Sequence, residues 1–228
     1  MLLSRPKFFA IFFLFLAENN FLSYFSLLDL SSTISISQRK ISSYLILCYY
    51  LSMNFEEKTL DSKVVYDGKV MTVIRDDVEV SDGHKSFREV VLHSGGVVIA
   101  AMKDDETILL VKQYRYPLKH VNIELPAGKL EKGENPDFAA KRELEEETGY
   151  QAKTWKSLGY INTTPGICTE KLYLYLAKDL KFVGDHPDVG EILKCSEYKL
   201  KDVMQMINAG KINDAKTICT LFRAFMKV

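Results

Sequence analysis

The sequence predicts an α+β domain that opens with antiparallel strands. Three observations carry this expectation: short strand-like runs from Lys58 onward, one well-capped helix between Asn135 and Gly149, and two helical segments near the C-terminal end. Lys63–Tyr66 and Lys69–Val80 flank Asp67-Gly68, a hairpin signal. Ser81-Asp82-Gly83 marks a turn into a strand at Phe87–His93. Val97–Met102 is a short continuous apolar run, suited to a buried strand. Strands are expected at Thr107–Tyr114 and Val121–Leu125, and Pro126-Ala127-Gly128 then opens a loop. Asn135 is a good N-cap, Pro136 suits the first helical position, Asp137 favours that end of the dipole, and Gly149 is a natural C′ residue. Thr154–Asn162, Lys171–Ala177 and Glu191–Tyr198 read as strands. Tyr173-Leu174-Tyr175-Leu176 alternates little, as expected of a strand covered on both faces. Lys201–Ala209 and Asp214–Met226 read as helices separated by Gly210.

Composition sets the outer bounds. The 228 residues carry 30 Lys+Arg and 30 Asp+Glu, so no basic excess points to a nucleic-acid surface. The four cysteines (Cys48, Cys168, Cys195, Cys219) include no C-x-x-C pair, which argues against a zinc site or a disulfide framework and for reduced cytoplasmic thiols. Residues 1–52 differ from the rest: they contain no Gly and no Val and are crowded with Phe, Leu, Ile and Ser. Arg5 and Lys7 precede an apolar run from Phe8 to Ala17, short for a membrane span of about 20 residues. Glu18-Asn19-Asn20 supplies no small-x-small cleavage site. Three readings stand: a mis-assigned start ahead of Met53, a real anchor or signal, or a structural extension. The first is favoured, with 53–228 forming one domain and no membrane association unless 1–52 is real.

The informative segment is Gly128–Tyr150. Glu143, Glu146 and Glu147 fall on one helix within an arc of roughly 100°. Like charges at this spacing repel, so a positive partner is expected; Arg142 and Lys141 offset part of the charge. Mg²⁺ suits the geometry because it takes oxygen ligands and keeps several waters. Alone, such a face can also be a solvated acidic surface. The flanking residues decide. Gly128-x5-Glu134-x7-Arg142-Glu143-Leu144-x-Glu146-Glu147-x-Gly149-Tyr150 resembles the Nudix box, G-x5-E-x7-R-E-U-x-E-E-x-G-U, departing from it only at Tyr150, a packing position. The resemblance covers about 55–228. It implies the Nudix fold, a mixed β-sheet sandwiched between helices. It implies Glu143 and Glu147 as principal metal ligands, Glu146 near a second ion, and the Ala127 carbonyl as a main-chain ligand. Arg142 would orient the glutamates, and Glu134 would be structural. Mg²⁺ is the expected ion, with Mn²⁺ as a substitute.

Features outside the box narrow the substrate. Pro165 lies sixteen residues after Gly149, an offset similar to that of the ADP-ribose pyrophosphatase subgroup. Val111–Pro117, containing Arg115, and Glu124–Glu131 resemble that subgroup too. The resemblance implies hydrolysis of ADP-ribose to AMP and ribose 5-phosphate. It implies substrate contacts from Arg115, Glu124, Glu170 and the Pro165 loop, and from Arg88 across a homodimer whose N-terminal strands exchange. The general base is expected on Gly184–Glu191, where relatives commonly carry two glutamates one residue apart. Glu191 matches the second; Val189 stands in place of the first, and Asp188 is adjacent. A box glutamate or His186 is an alternative base. The competing functions are a Nudix hydrolase of another nucleoside diphosphate derivative, and a non-catalytic sensor of ADP-ribose-like ligands.

Overall fold

The computed structural model describes residues 54–184 and 192–226. Glu56–Val228 forms one compact unit. Its first three strands, β1 (Lys58–Asp67), β2 (Thr72–Glu79) and β3 (Lys85–Leu92), pair antiparallel as a separate sheet in the order β1-β2-β3. The first hairpin is wider than Asp67-Gly68 suggests. Asp67 pairs with Thr72, leaving a four-residue loop closed by Gly68 N–H to the Met71 carbonyl at 3.0 Å. A Cβ on Gly68 would lie 2.5 Å from the ring of Tyr66, an exposed side chain that can swing aside.

Two further sheets build the body. β4 (Gly96–Ala101), β7 (Ala127–Lys129), β8 (Tyr150–Asn162) and β9 (Lys171–Phe182) make a four-stranded sheet in the order β7-β4-β9-β8. Its β4–β9 pair is parallel and the others antiparallel. β5 (Thr107–Arg115), β6 (His120–Glu124) and β10 (Leu193–Lys199) make a three-stranded antiparallel sheet in the order β10-β5-β6. The helices are α1 (Pro136–Thr148), α2 (Leu200–Asn208) and α3 (Ala215–Phe225).

β4 explains the layering. All six of its residues are buried, and the pleat sends alternate side chains to opposite faces. Val97, Ile99 and Ala101 pack with Ala139, Ala140 and Leu144 of α1. Val98 and Ala100 pack with Val203 of α2 and Leu221 of α3. β9 divides the same way, with Leu172 and Leu174 on the second face and Tyr175 and Ala177 on the first. The sheet is therefore covered by helix on both sides, and the even hydrophobicity of Tyr173–Leu176 follows from that. The α+β expectation holds, with the mixed sheet between helices and the antiparallel strands at the N-terminal end.

One difference matters for the site. Ala127–Lys129 is a short strand on the edge of β4, not the start of a loop. Its three residues have little intrinsic strand preference; pairing with β4 is a tertiary effect. The close approach relies on Gly96, where a Cβ would lie 2.6 Å from the Gly128 carbonyl oxygen. No helix among the described residues is long and apolar enough to cross a membrane.

Candidate active site

α1 is placed by its ends. The Asn135 side chain accepts from Asp137 N–H at 2.8 Å, and Gly149 closes the helix at φ 73°. The Tyr175 hydroxyl donates to Asp137 at 2.7 Å, tying the first turn to β9. Burial and the adjacent Asp137 carboxylate push the Tyr175 pKa up, so it stays a donor at all ordinary pH. Leu144, Ala139 and Ala140 are fully buried, while Phe138 is exposed. This rotation carries Glu143 and Glu147 to the inner face, where each is less than a tenth exposed.

Two buried glutamates one turn apart would repel, and Arg142 supplies the nearest compensation. Its guanidinium donates to Glu134 from Nε and Nη2, both at 3.1 Å. Its Nη1 donates to Glu143 at 2.9 Å and to Glu146 at 2.8 Å. Glu134 first, with Glu143 and Glu146, raises the arginine pKa, and Arg142 in turn lowers that of Glu134. Glu134 also accepts from Glu131 N–H, which fixes the loop before the helix. Glu147 accepts from Ala127 N–H at 2.9 Å, so β7 and α1 are joined at the carboxylate face. Gly128 lies closer still: a Cβ there would lie 1.8 Å from the Glu143 carboxyl carbon. Only glycine lets the main chain close on that carboxylate.

These groups line one wall of a cavity of about 600 Å³. It sits where β4 begins, β5 ends and α3 begins. Among the predicted site residues, Ala127, Glu143, Glu147, Arg142, Arg115 and Glu170 reach it. Glu170 lies 3.5 Å from His93 Nδ1, which accepts from Gly95 N–H. Glu146 is held by Arg142 and is not among the lining residues.

Glu124 does not face the cavity as expected of a substrate contact. Its side chain is 1% exposed, and both oxygens are taken by Arg115 at 2.9 and 2.6 Å, with Lys216 also on Oε2. Burial pushes its pKa up, but the hydrogen bonds from Arg115 and Lys216 outweigh this and hold the carboxyl at about 2. It acts on the cations, not on the cavity. Pro165 is also outside the lining: it sits in an exposed turn closed by Cys168 N–H to the Thr164 carbonyl at 2.9 Å. That turn docks on β3 through Val91, which exchanges hydrogen bonds with Ile167 and Thr169. Arg88, on β3, forms a two-point ion pair with Glu57 and is not among the residues lining the cavity. Asp188, Glu191 and His186 lie outside the described residues.

Residues that the sequence reading did not single out also face the cavity, among them Gln113, Thr163, Asp214 and Lys216. Lys216 carried a signal: a cation in the first turn of a helix opposes the helix dipole and calls for local anions.

The donor set suits a hard divalent cation. Oxygen donors from Glu143 and Glu147 converge on one cavity wall, and the glycine cradle at Gly128 holds the main chain against them. Among the described residues no three His, Cys, Asp or Glu side chains surround a single point.

The comparisons agree with this geometry. Residues 92–221 match the NUDIX domain family, and residues 57–91 match the nucleoside diphosphate sugar hydrolase N-terminal domain. The chain is 40% identical over 166 residues to an ADP-ribose pyrophosphatase of Bacillus subtilis (strain 168), covering 72% of this chain and 90% of that protein. It is 42% identical over 166 residues to a methanol dehydrogenase activator of Bacillus methanolicus, with the same shares covered. Its fold is similar to the crystal structure of an ADP compounds hydrolase, with a TM-score of 0.68 and 23% identity over 76% of this chain and 95% of that one. With Glu143 and Glu147 on the cavity wall, the chain belongs to the Nudix family of pyrophosphohydrolases.

Proposed function

We propose that this enzyme hydrolyses the pyrophosphate bond of ADP-ribose and related nucleoside-diphosphate-sugars, with Mg²⁺, giving AMP and ribose 5-phosphate. The observation that carries the reading is the juxtaposition of buried Glu143 and Glu147 with Arg115 around one cavity. It pairs a cation-binding face with an arginine able to fork onto phosphate. The ADP-ribose pyrophosphatase relative, matched over most of its length, supports the substrate.

Glu143 and Glu147, with Glu146 and the Ala127 carbonyl, would hold the metal; Mn²⁺ is an expected substitute. A divalent ion bound there supplies charge to the pyrophosphate and lowers the pKa of water. Arg142 keeps the glutamates aimed through its hydrogen bonds to Glu143 and Glu146. Arg115 binds the diphosphate or the terminal ribose, Glu124 holds Arg115, and Glu170 contacts substrate from the β9 side. Asp188 or Glu191 takes the proton of the attacking water, a contribution of roughly 10²–10⁴-fold.

The working unit is a cytoplasmic homodimer of residues 53–228. The exposed Val64, Val65, Tyr66 and Phe87 of the N-terminal sheet support a partner surface there, and Arg88 would reach the site of the second subunit. Light scattering on a chain starting at Met53 tests the dimer. A second reading rests on the activator-named relative: the same hydrolysis serves a dehydrogenase partner. A substrate panel with Mg²⁺ decides. The highest kcat/KM is expected for ADP-ribose; preference for a dinucleotide or a nucleoside triphosphate would overturn the assignment.

A further inference from the structure

Arg115, Glu124, Asp214 and Lys216 form a charge cluster beneath the cavity, and its hydrogen-bond count is uneven. Both Glu124 oxygens accept from Arg115, and Oε2 also accepts from Lys216. Asp214 accepts from Lys216 with Oδ1 at 2.8 Å, and caps α3 with Oδ2, from Thr217 N–H at 3.0 Å and its hydroxyl at 2.6 Å. Every carboxylate oxygen is thus engaged. The cations are not exhausted. An ammonium has three N–H donors and a guanidinium five. Lys216 uses two of its three, and Arg115 Nη1 has no partner among the described residues.

Position makes the surplus useful. Lys216 and Arg115 both line the cavity, whereas Glu124 does not. The Lys216 side chain is only 16% exposed, so its ammonium is fixed and partly desolvated. Placing a lysine in the first turn of α3 works against the helix dipole; the buried Glu124 and the part-buried Asp214 hold it there. Glu147 acts electrostatically on Arg115, so the cationic pair adjoins the carboxylate wall.

We propose that Lys216 is a second anion-recognising donor of the substrate site, yoked to Arg115 by Glu124 and giving its third N–H to a phosphate oxygen of the diphosphate. This rests on the ADP-ribose reading above. Lys216 is on this view a substrate contact, not a prop for Arg115.

The test is a double-mutant cycle with Arg115→Met and Lys216→Met. Binding of a non-hydrolysable α,β-methylene analogue of ADP-ribose is measured in Mg²⁺, with adenosine as a phosphate-free control. Lys216→Met should weaken the analogue about tenfold or more, the loss expected for one charged hydrogen bond. Adenosine affinity should not change. The same loss should recur in the Arg115→Met background. A folded Lys216→Met chain that binds the analogue normally, weakens adenosine equally, or loses nothing further without Arg115 overturns the proposal. If Lys216→Met does not fold, Lys216→Gln alone, which keeps a polar group against Glu124 and Asp214 without the charge, is measured by the same criteria. If the wild-type chain does not bind the analogue, the ADP-ribose reading fails by itself; inorganic pyrophosphate then replaces the analogue with the same outcomes.

Discussion

Gly128→Ala separates site geometry from fold stability more cleanly than removing a glutamate. The new Cβ would lie 1.8 Å from the Glu143 carboxyl carbon and 1.9 and 2.0 Å from its oxygens. Carbon atoms in contact sit about 3.5 Å apart or more, so the carboxylate must shift by about 1.7 Å. The Glu143 side chain can make that shift, but only by leaving Arg142 Nη1, now at 2.9 Å. Losing one such contact costs about 1 kcal/mol, and a melting point about 3 °C lower for a domain of this size. The chemistry suffers more, since a misplacement of about 1 Å can cost about 100-fold. The expected phenotype is a folded protein with kcat reduced at least about 100-fold. Gly133→Ala is the control: Gly133 has φ 79° with nothing within 4 Å of a Cβ, so it should cost stability and spare turnover. Melting curves and steady-state rates on both variants suffice. A Gly128→Ala enzyme with near-normal kcat would refute the claim that Glu143 must sit against this backbone.

Other outcomes follow from the same contacts. Arg142→Lys keeps a charge but cannot reach Glu134, Glu143 and Glu146 together; kcat/KM should fall by about 100-fold with modest destabilisation, seen in paired rate and melting data. Glu124 is held at about 2, against an ordinary 4.5 in the unfolded chain. Its contribution is therefore complete above about pH 4.5 and is lost as pH falls through about 2, an amount of about 3 kcal/mol. Denaturant titrations across that window should show this slope, and Glu124→Gln should flatten it while lowering stability at neutral pH. Asp188→Asn and Glu191→Gln should differ sharply in kcat if one of them is the base; equal, mild losses would exclude both.

The parts legible in the sequence are those set by local chemistry. Asn135, Pro136 and Gly149 bound α1, and the 100° step of a helix places Glu143, Glu146 and Glu147 on one arc. The apolar run at Val97–Met102 likewise announces a strand buried on both faces. The rest depends on contacts far apart in the chain. Ala127–Lys129 becomes a strand only because β4 lies beside it. Glu124 reads as a substrate contact until its neighbours, Arg115 nine residues away and Lys216 on α3, are seen to claim both oxygens. Lys216 shows in sequence only as a cation in a first helical turn; its place in the cavity lining comes from α3 beginning there. Arg88 is held within the chain by Glu57, a contact between residues 31 apart that the local sequence does not announce.

The central claim is that the glutamate face of α1 drives cleavage of a diphosphate. It is tested most directly by following ADP-ribose with and without Mg²⁺ by phosphorus NMR, for wild type and Glu147→Gln in parallel. The wild type with Mg²⁺ should give AMP and ribose 5-phosphate, and a Glu147→Gln enzyme that melts normally should give almost no product. Unchanged product formation by Glu147→Gln, or wild-type turnover in the presence of a chelator, would contradict it.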